Sequence, residues 1–284
     1  MKKSILIIGA SSDIGIEVAK QFALNGYDLH LASRNKEKLN DTLSEVKLSS
    51  KITTNIYEFD ALNIAGHKDF IDSFEFLPNI TMCFVGHMGN QKNNEKNSDE
   101  RILVMETNFL APINFLSEIA NRYEKIKSGT IVGVSSVAGE RGRSTNYIYG
   151  ASKSGVTTFL SGLRNRLSKH NVNVITVLPG PVFTKMTRNT NLPKFLTANP
   201  NHVAKDIFQA VINKKDVIYS FKIWRYIMII IKLIPENIFK KMKISELLEL
   251  LQDRGVDIRT FKGGTKKDLV RKAQEVYSLS FRHP

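Results

Sequence analysis

The feature that most constrains the fold is an alternation of short apolar runs with amphipathic stretches, which continues to about residue 220. Runs rich in Ile and Val predict strands at Ser4–Ile8, Asp28–Ala32, Asn55–Phe59, Thr81–Val85, Gly129–Val134, Asn173–Leu178 and Val217–Tyr219. Helical spacing predicts helices at Ile14–Leu24, Asn35–Leu48, Ser98–Glu124, Tyr149–His170 and His202–Asn213. Apolar strands that alternate with helices form parallel sheets covered on both faces. The sequence therefore predicts an α/β fold, a Rossmann-type doubly wound parallel sheet, with any ligand beyond the carboxyl ends of the strands.

Composition and charge indicate the binding partners and the compartment of the protein, but not its chemical function. The 284 residues carry a net charge of +14, which favours anionic partners such as phosphorylated ligands, anionic lipid or nucleic acid. The single cysteine, Cys83, cannot form an internal disulfide. The apolar run after Met1-Lys2-Lys3 is too short for a secretory signal, so we expect a cytoplasmic protein.

The turn after the first predicted strand has the composition of a phosphate-binding turn. Glycine opens the turn and a helix follows it, so backbone amides and the helix N-terminus can hold a pyrophosphate. The residues expected to contact the cofactor here are Gly9, Ser11, Ser12, Asp13, Ile14 and Gly15.

The ends of the second and third strands indicate which dinucleotide binds. A carboxylate after the second strand would bond a ribose 2′-hydroxyl, whereas an arginine accommodates a 2′-phosphate. Here Ser33 and Arg34 occupy that place, and no carboxylate does. The sequence therefore predicts NADP(H) as the cofactor, with Asp60, at the end of the third strand, bonded to the adenine amine.

A serine, a tyrosine and a lysine follow the fifth predicted strand at a spacing suited to proton transfer. Ser136 ends the strand, and Tyr149 and Lys153 lie one helical turn apart on one face. The ammonium of Lys153, with the positive charge of a nicotinamide, is expected to lower the Tyr149 pKa toward neutrality. Tyr149 could then exchange a proton with a substrate oxygen that Ser136 polarises.

Together these motifs resemble the short-chain dehydrogenase/reductase family, in family order from residue 4 to about 240. The resemblance implies ketone–alcohol interconversion with hydride transfer, and a relay water held by Asn108. It also implies cofactor contacts from Tyr149, Lys153, Gly86 and the segment after the sixth strand: Pro179, Gly180, Val182 and Thr184.

Two positions depart from the family pattern. Asp13 replaces the usual third glycine of the first turn, which could alter phosphate packing. His87 lies where the family has an Asn-Asn-Ala-Gly motif and is either a substrate contact or a solvated loop histidine. The remaining histidines have no metal-ligand spacing with cysteine or carboxylates, so no metal site is predicted.

Motifs in the second half resemble one branch of the family, the decaprenylphosphoryl-2-keto-ribose reductases. This resemblance implies a lipid-linked ketosugar or another lipidic ketone as substrate. Arg141, Arg143, Arg164 and Arg166 could serve an anionic substrate, although Arg164 and Arg166 could equally form a solvated basic face. Two alternatives stay open: a steroid or long-chain lipid dehydrogenase, and a cofactor-binding scaffold whose C-terminal module binds DNA or protein.

The C-terminal part adds a basic aromatic segment and a small appendage to the 1–240 NADP(H)-binding domain. Phe221–Leu233 combines isoleucines with Trp224, Tyr226 and basic residues, which suits either a membrane surface or a helix that covers the sheet or a second copy of the chain. Residues 244–284 resemble a SAP-type helix–extended–helix module. Because residues 240–284 hold 11 basic and 6 acidic residues, a surplus of only 5, nucleic acid is a less favoured partner than protein or a membrane surface.

Overall fold

A computed structural model describes residues 3–49, 51–188 and 194–241. Seven parallel strands form one sheet in the order β3-β2-β1-β4-β5-β6-β7. From β1 the chain adds strands toward one edge of the sheet, and from β4 it adds them toward the other edge. The carboxyl ends of β1 and β4 therefore flank a crevice suited to a ligand. The strands are β1 Ser4–Ile8, β2 Asp28–Ser33, β3 Thr54–Glu58, β4 Ile80–Cys83, β5 Gly129–Val134, β6 Val172–Pro179 and β7 Val217–Ser220. The predicted Rossmann-type α/β fold is confirmed.

Helices cover both faces of this sheet. They are α1 Asp13–Leu24, α2 Asn40–Ser49, α3 His67–Asp72, α4 Gln91–Lys96, α5 Ser98–Met105, α6 Ala111–Ile126, α7 Tyr147–Leu167 and α8 Pro200–Ile212. The chain then continues into α9 Ile223–Leu233 and α10 Glu236–Phe239.

The strand β1 shows why the apolar runs are nearly continuous. Ile5 and Ile7 belong to a core shared with α1 and α8, whereas Leu6 and Ile8 belong to a second core shared with α6 and α7. Successive strand residues point to opposite faces, so a strand covered on both sides must be apolar at every position.

The helix that the spacing predicted at Ser98–Glu124 is interrupted. A π-helical turn at Glu106–Leu110 separates α5 from α6. The wider turn moves the residues that follow around the helix axis, and Asn108 becomes fully buried within it.

The chain divides into two compact units, Met1–Phe221 and Lys222–Pro284. In the second unit the structure describes α9 and α10, and the predicted appendage at 244–284 lies outside the described residues. Within the ranges given above, no helix has the length and apolar character needed to span a bilayer. The buried residues of α9 are Trp224, Ile227, Met228, Ile230 and Ile231.

Candidate active site

The first turn brings the start of α1 close to the end of β4. Gly9 has a φ of +76°, and a Cβ at this position would lie 2.9 Å from the backbone carbon of Phe84. Only glycine permits both the left-handed conformation and this close approach. Ser12 caps α1, since its Oγ accepts the Gly15 N–H at 3.1 Å. The turn thus presents the N-terminus of a 12-residue helix at the carboxyl edge of the sheet.

The end of β2 lies beside the same turn. Ser33 Oγ donates a hydrogen bond to Ser11 Oγ at 2.9 Å, which ties the two strand ends together. Arg34 is exposed immediately afterwards. Asp60 is exposed after β3, where its Oδ1 accepts the Leu62 N–H at 3.0 Å. The predicted cofactor residues of the first three strands therefore meet at one edge.

Three of the four predicted catalytic residues, Ser136, Tyr149 and Lys153, also meet. Ser136 follows β5, and its side chain is near enough to Tyr149 to lower the pKa of the phenol. The Lys153 ammonium lies 5.8 Å from the centre of the Tyr149 ring and donates to the Val134 carbonyl at 3.0 Å. Below them, Ser135 Oγ donates to the Lys153 carbonyl at 2.7 Å and so anchors α7 to the end of β5.

Close backbone packing fixes the distance between the serine turn and α7. A Cβ at Gly139 would lie 2.7 Å from the Ser154 nitrogen and 2.8 Å from the Lys153 carbonyl carbon. Both contacts are with backbone, which cannot move aside as a flexible side chain can. The glycine three residues after Ser136 therefore allows the turn to rest on the helix that carries Tyr149 and Lys153.

The expected lowering of the Tyr149 pKa is wrong for this structure. Burial raises the pKa of Tyr149 to about 12, and the nearby Ser136 side chain offsets only part of this effect. Burial also lowers the pKa of Lys153 to about 8, because this side chain is only 4% exposed. The sequence gives the one-turn spacing but not the amount of water excluded around each group, and here desolvation dominates.

Asn108 clamps the loop after β4. Its Nδ2 donates to the carbonyls of His87 and Val104, and its Oδ1 accepts the His87 N–H at 2.9 Å. Both amide hydrogens are thus used within the protein. The Nε2 atom of His87 is buried and has no hydrogen-bond partner among the described residues, so a fully solvated loop histidine is excluded.

The segment after β6 reaches back over this loop. Pro179 ends β6, Gly180 follows it, and Val182 forms an isolated bridge with Ala198. Thr184 begins a short 3₁₀ turn over Lys185–Thr187. The Met186 Cε lies 3.8 Å from the position that a Cβ would take at Gly86, and Lys153 Nζ lies 3.7 Å from the same point. The segment therefore extends to the catalytic group.

Two of the arginines suggested for an anionic substrate have structural partners instead. Arg164 donates to Val174 O, Thr176 Oγ1 and Asp216 O at 2.7 to 2.8 Å, and Arg166 pairs with Glu124. Helical spacing placed both on α7 but could not show which face the sheet would occupy. No cluster of three or more His, Cys, Asp or Glu residues with metal-binding geometry occurs in the portion of the chain that the structure describes.

Comparisons with known proteins agree with this arrangement. The family described as short chain dehydrogenase matches residues 3–194. An uncharacterized oxidoreductase of Mycobacterium tuberculosis is 30% identical over 241 residues, which are 84% of this chain and 96% of that protein. The ketoacyl reductase HetN of a Nostoc species is 27% identical over 219 residues, 75% of this chain and 76% of that protein.

A solved structure shares the fold over nearly the whole length. The short-chain dehydrogenase from Sphingobium yanoikuyae in complex with NADPH superposes with a TM-score of 0.70 at 21% identity, covering 93% of this chain and 99% of that one. The match to the family over residues 3–194, together with the Mycobacterium relative, shows that this chain is an oxidoreductase of the short-chain dehydrogenase/reductase family.

Proposed function

We propose that the protein is an NADPH-dependent reductase that converts a lipidic ketone into a secondary alcohol. The observation that carries this proposal is the grouping of Ser136, Tyr149 and the buried Lys153 at the carboxyl edge of the sheet. A buried ammonium such as that of Lys153 has a large desolvation cost. Ionisable groups in such an environment are typical of sites that transfer protons.

The residues at the first turn fit a dinucleotide phosphate. Gly9 leaves no side chain between the turn and the end of β4, and the N-terminus of α1 at this turn favours an anion. The exposed Arg34 follows Ser33, which supports a 2′-phosphate and hence NADP(H) over NAD(H). Contacts from Asp60, Gly86, Gly180, Val182 and Thr184 complete the proposed cofactor site.

The raised pKa of Tyr149 and the lowered pKa of Lys153 suit reduction of a ketone. NADPH, when bound, supplies the hydride to the carbonyl carbon. A phenol with a pKa near 12 carries its proton at neutral pH, so Tyr149 can donate that proton to the substrate oxygen. Ser136 holds the same oxygen by a hydrogen bond, and the positive charge of Lys153 stabilises the phenolate left behind.

The substrate class is proposed from the surroundings of this group. Phe183 and Met186, in the segment after β6, are 45% and 44% exposed, and Met186 reaches toward Gly86. Large apolar side chains beside a catalytic centre favour an apolar substrate. The resemblance to keto-ribose reductases supports a lipid-linked ketosugar, and the HetN relative carries the name of a ketoacyl reductase.

Oxidation of NADPH in the presence of lipid-linked ketosugars, ketoacyl thioesters and ketosteroids tests the proposal, with NADH as the parallel cofactor. We expect activity with NADPH and a lipidic ketone. Tyr149→Phe removes the proton donor and should lower kcat by about 10²- to 10⁴-fold.

Tyr147→Phe is the matched control, because Tyr147 lies two residues away on α7 and is 44% exposed. This variant should keep wild-type activity. Equal rates for Tyr149→Phe and wild type, or turnover with NADH alone, would contradict the proposal.

A further inference from the structure

We propose that Asp13 is a positioning residue, whose carboxylate holds the segment after β6 in place over the cofactor site. This inference rests on the proposed function and concerns the segment Val182–Thr187. It gives a role to the carboxylate that replaces the usual glycine of the first turn.

The contact joins parts of the chain that lie 172 residues apart. Asp13 Oδ2 accepts the backbone N–H of Lys185 at 2.6 Å, and Asp13 Oδ1 lies 3.9 Å from Lys185 Nζ. The Asp13 side chain is 23% exposed and that of Lys185 76% exposed. The backbone bond is therefore the stronger link, since a short charge-assisted hydrogen bond to a fixed backbone N–H exceeds an ion pair with a solvated ammonium.

Internal hydrogen bonds connect the residues of the segment Val182–Thr187. A contact that fixes Lys185 therefore also restrains the rest of the segment. The Thr184 N–H donates to Thr187 Oγ1 at 3.1 Å, and Thr187 Oγ1 donates to the Val182 carbonyl. Next to the held residue, Met186 reaches to within 3.8 Å of the Cβ position at Gly86. One hydrogen bond at the start of α1 thus helps to place side chains beside Lys153.

Charge explains how an aspartate can occupy a phosphate-binding turn. A carboxylate at the N-terminus of α1 is stabilised by the helix dipole but would repel a bound pyrophosphate. Because Asp13 Oδ2 is engaged by Lys185, the carboxylate is directed toward the segment. The simple repulsion model predicts that removing the charge strengthens NADPH binding, whereas the positioning role predicts that it weakens binding.

Limited proteolysis of the full chain without cofactor measures the hold directly. Trypsin cleavage after Arg188, which is exposed just beyond the segment, can be followed by mass spectrometry. A hydrogen bond to a charged group is worth about 1.5–3 kcal/mol, so Asp13→Ala should accelerate this cleavage by roughly 10-fold or more. An unchanged cleavage rate would overturn the inference.

Two further variants separate the hydrogen bond from the ion pair. Asp13→Asn keeps an oxygen that can accept the Lys185 N–H and should stay within about threefold of the wild-type rate. Lys185→Ala keeps the N–H, removes only the exposed ammonium and should also stay within about threefold. A loss in either variant as large as in Asp13→Ala contradicts the assigned hydrogen bond.

Equilibrium binding of NADPH, followed by nicotinamide fluorescence, gives the second readout. We expect Asp13→Ala to raise the Kd for NADPH by about threefold or more. This factor is smaller than the one for cleavage, because the affinity falls only in proportion to the fraction of molecules whose segment is in the binding position. Tighter binding by Asp13→Ala refutes the positioning role. If wild type binds no NADPH, the proposed function fails, whereas the cleavage ratio still tests the hold by itself.

Discussion

At the scale of single residues, Lys153 combines a charge with almost complete burial. Its Nζ donates to the Val134 carbonyl, and burial lowers its pKa to about 8. A lysine whose pKa is depressed in the folded state binds protons less readily there than in the unfolded chain. Between pH 8 and 10.5 the unfolded state therefore binds more protons, and the contribution of this group to stability rises with pH.

We expect this dependence to appear in a comparison of wild type with Lys153→Met. Below pH 8 the buried charge opposes folding, and this cost declines as pH rises through 8 toward 10.5. The difference in unfolding free energy between the two proteins should therefore shift by about 2 kcal/mol in favour of wild type from pH 8 to 10. Urea denaturation at both pH values measures it, and a constant difference would contradict the assigned pKa direction.

At the scale of secondary-structure elements, Arg164 connects α7 with the far edge of the sheet. Its guanidinium donates to Val174 O in β6, to Thr176 Oγ1 and to the Asp216 carbonyl before β7. One side chain thus links three acceptors, which are left without this donor if the arginine is removed.

Arg164→Ala should lower the free energy of unfolding by about 2–3 kcal/mol, because partly buried acceptors lose a charged donor. Arg166→Ala is the control: this residue lies one half-turn away and pairs with Glu124 at the surface, where water screens the charges. Urea unfolding at one pH compares the two. Equal effects would indicate that the contacts of Arg164 are dispensable.

The same scale shows what the sequence could and could not predict. All seven strands were predicted within about two residues. Burial on both faces makes central strands such as β1 apolar runs, whereas the edge strand β3 is only partly buried. The short helices α3 and α4 were missed, since six residues are too few for a periodic pattern. The π-helical turn around Asn108 has no sequence signal of its own, and it depends on packing.

The candidate site divides in the same way. Spacing placed Tyr149 and Lys153 on one helix face, and the order of motifs that resembles the family joined Ser136 to them. The sequence could not give the pKa direction of Tyr149, which depends on burial by the whole fold. Nor could it show that Asp13 contacts Lys185, a pair that only tertiary structure brings together.

At the scale of the whole molecule, the net charge of +14 and the surface of α9 bear on the predicted membrane contact. Five apolar residues of α9 are buried, whereas Lys222 and Arg225 at its start are exposed. Contact through Phe221–Leu233 is then expected to rest on charge rather than on insertion of apolar side chains.

Flotation of the full protein with vesicles tests this expectation. Binding should require anionic lipid and should be lost near 1 M salt, where the Debye length falls to about 3 Å. Reversal of two charges, Lys222→Glu with Arg225→Glu, lowers the net charge by 4, from +14 to +10, and should weaken binding strongly. The pair Lys92→Glu with Lys96→Glu on α4 makes the same charge change at another exposed helix and should weaken it less. Binding to neutral vesicles that survives 1 M salt would instead mean that the buried apolar residues of α9 become exposed at the membrane.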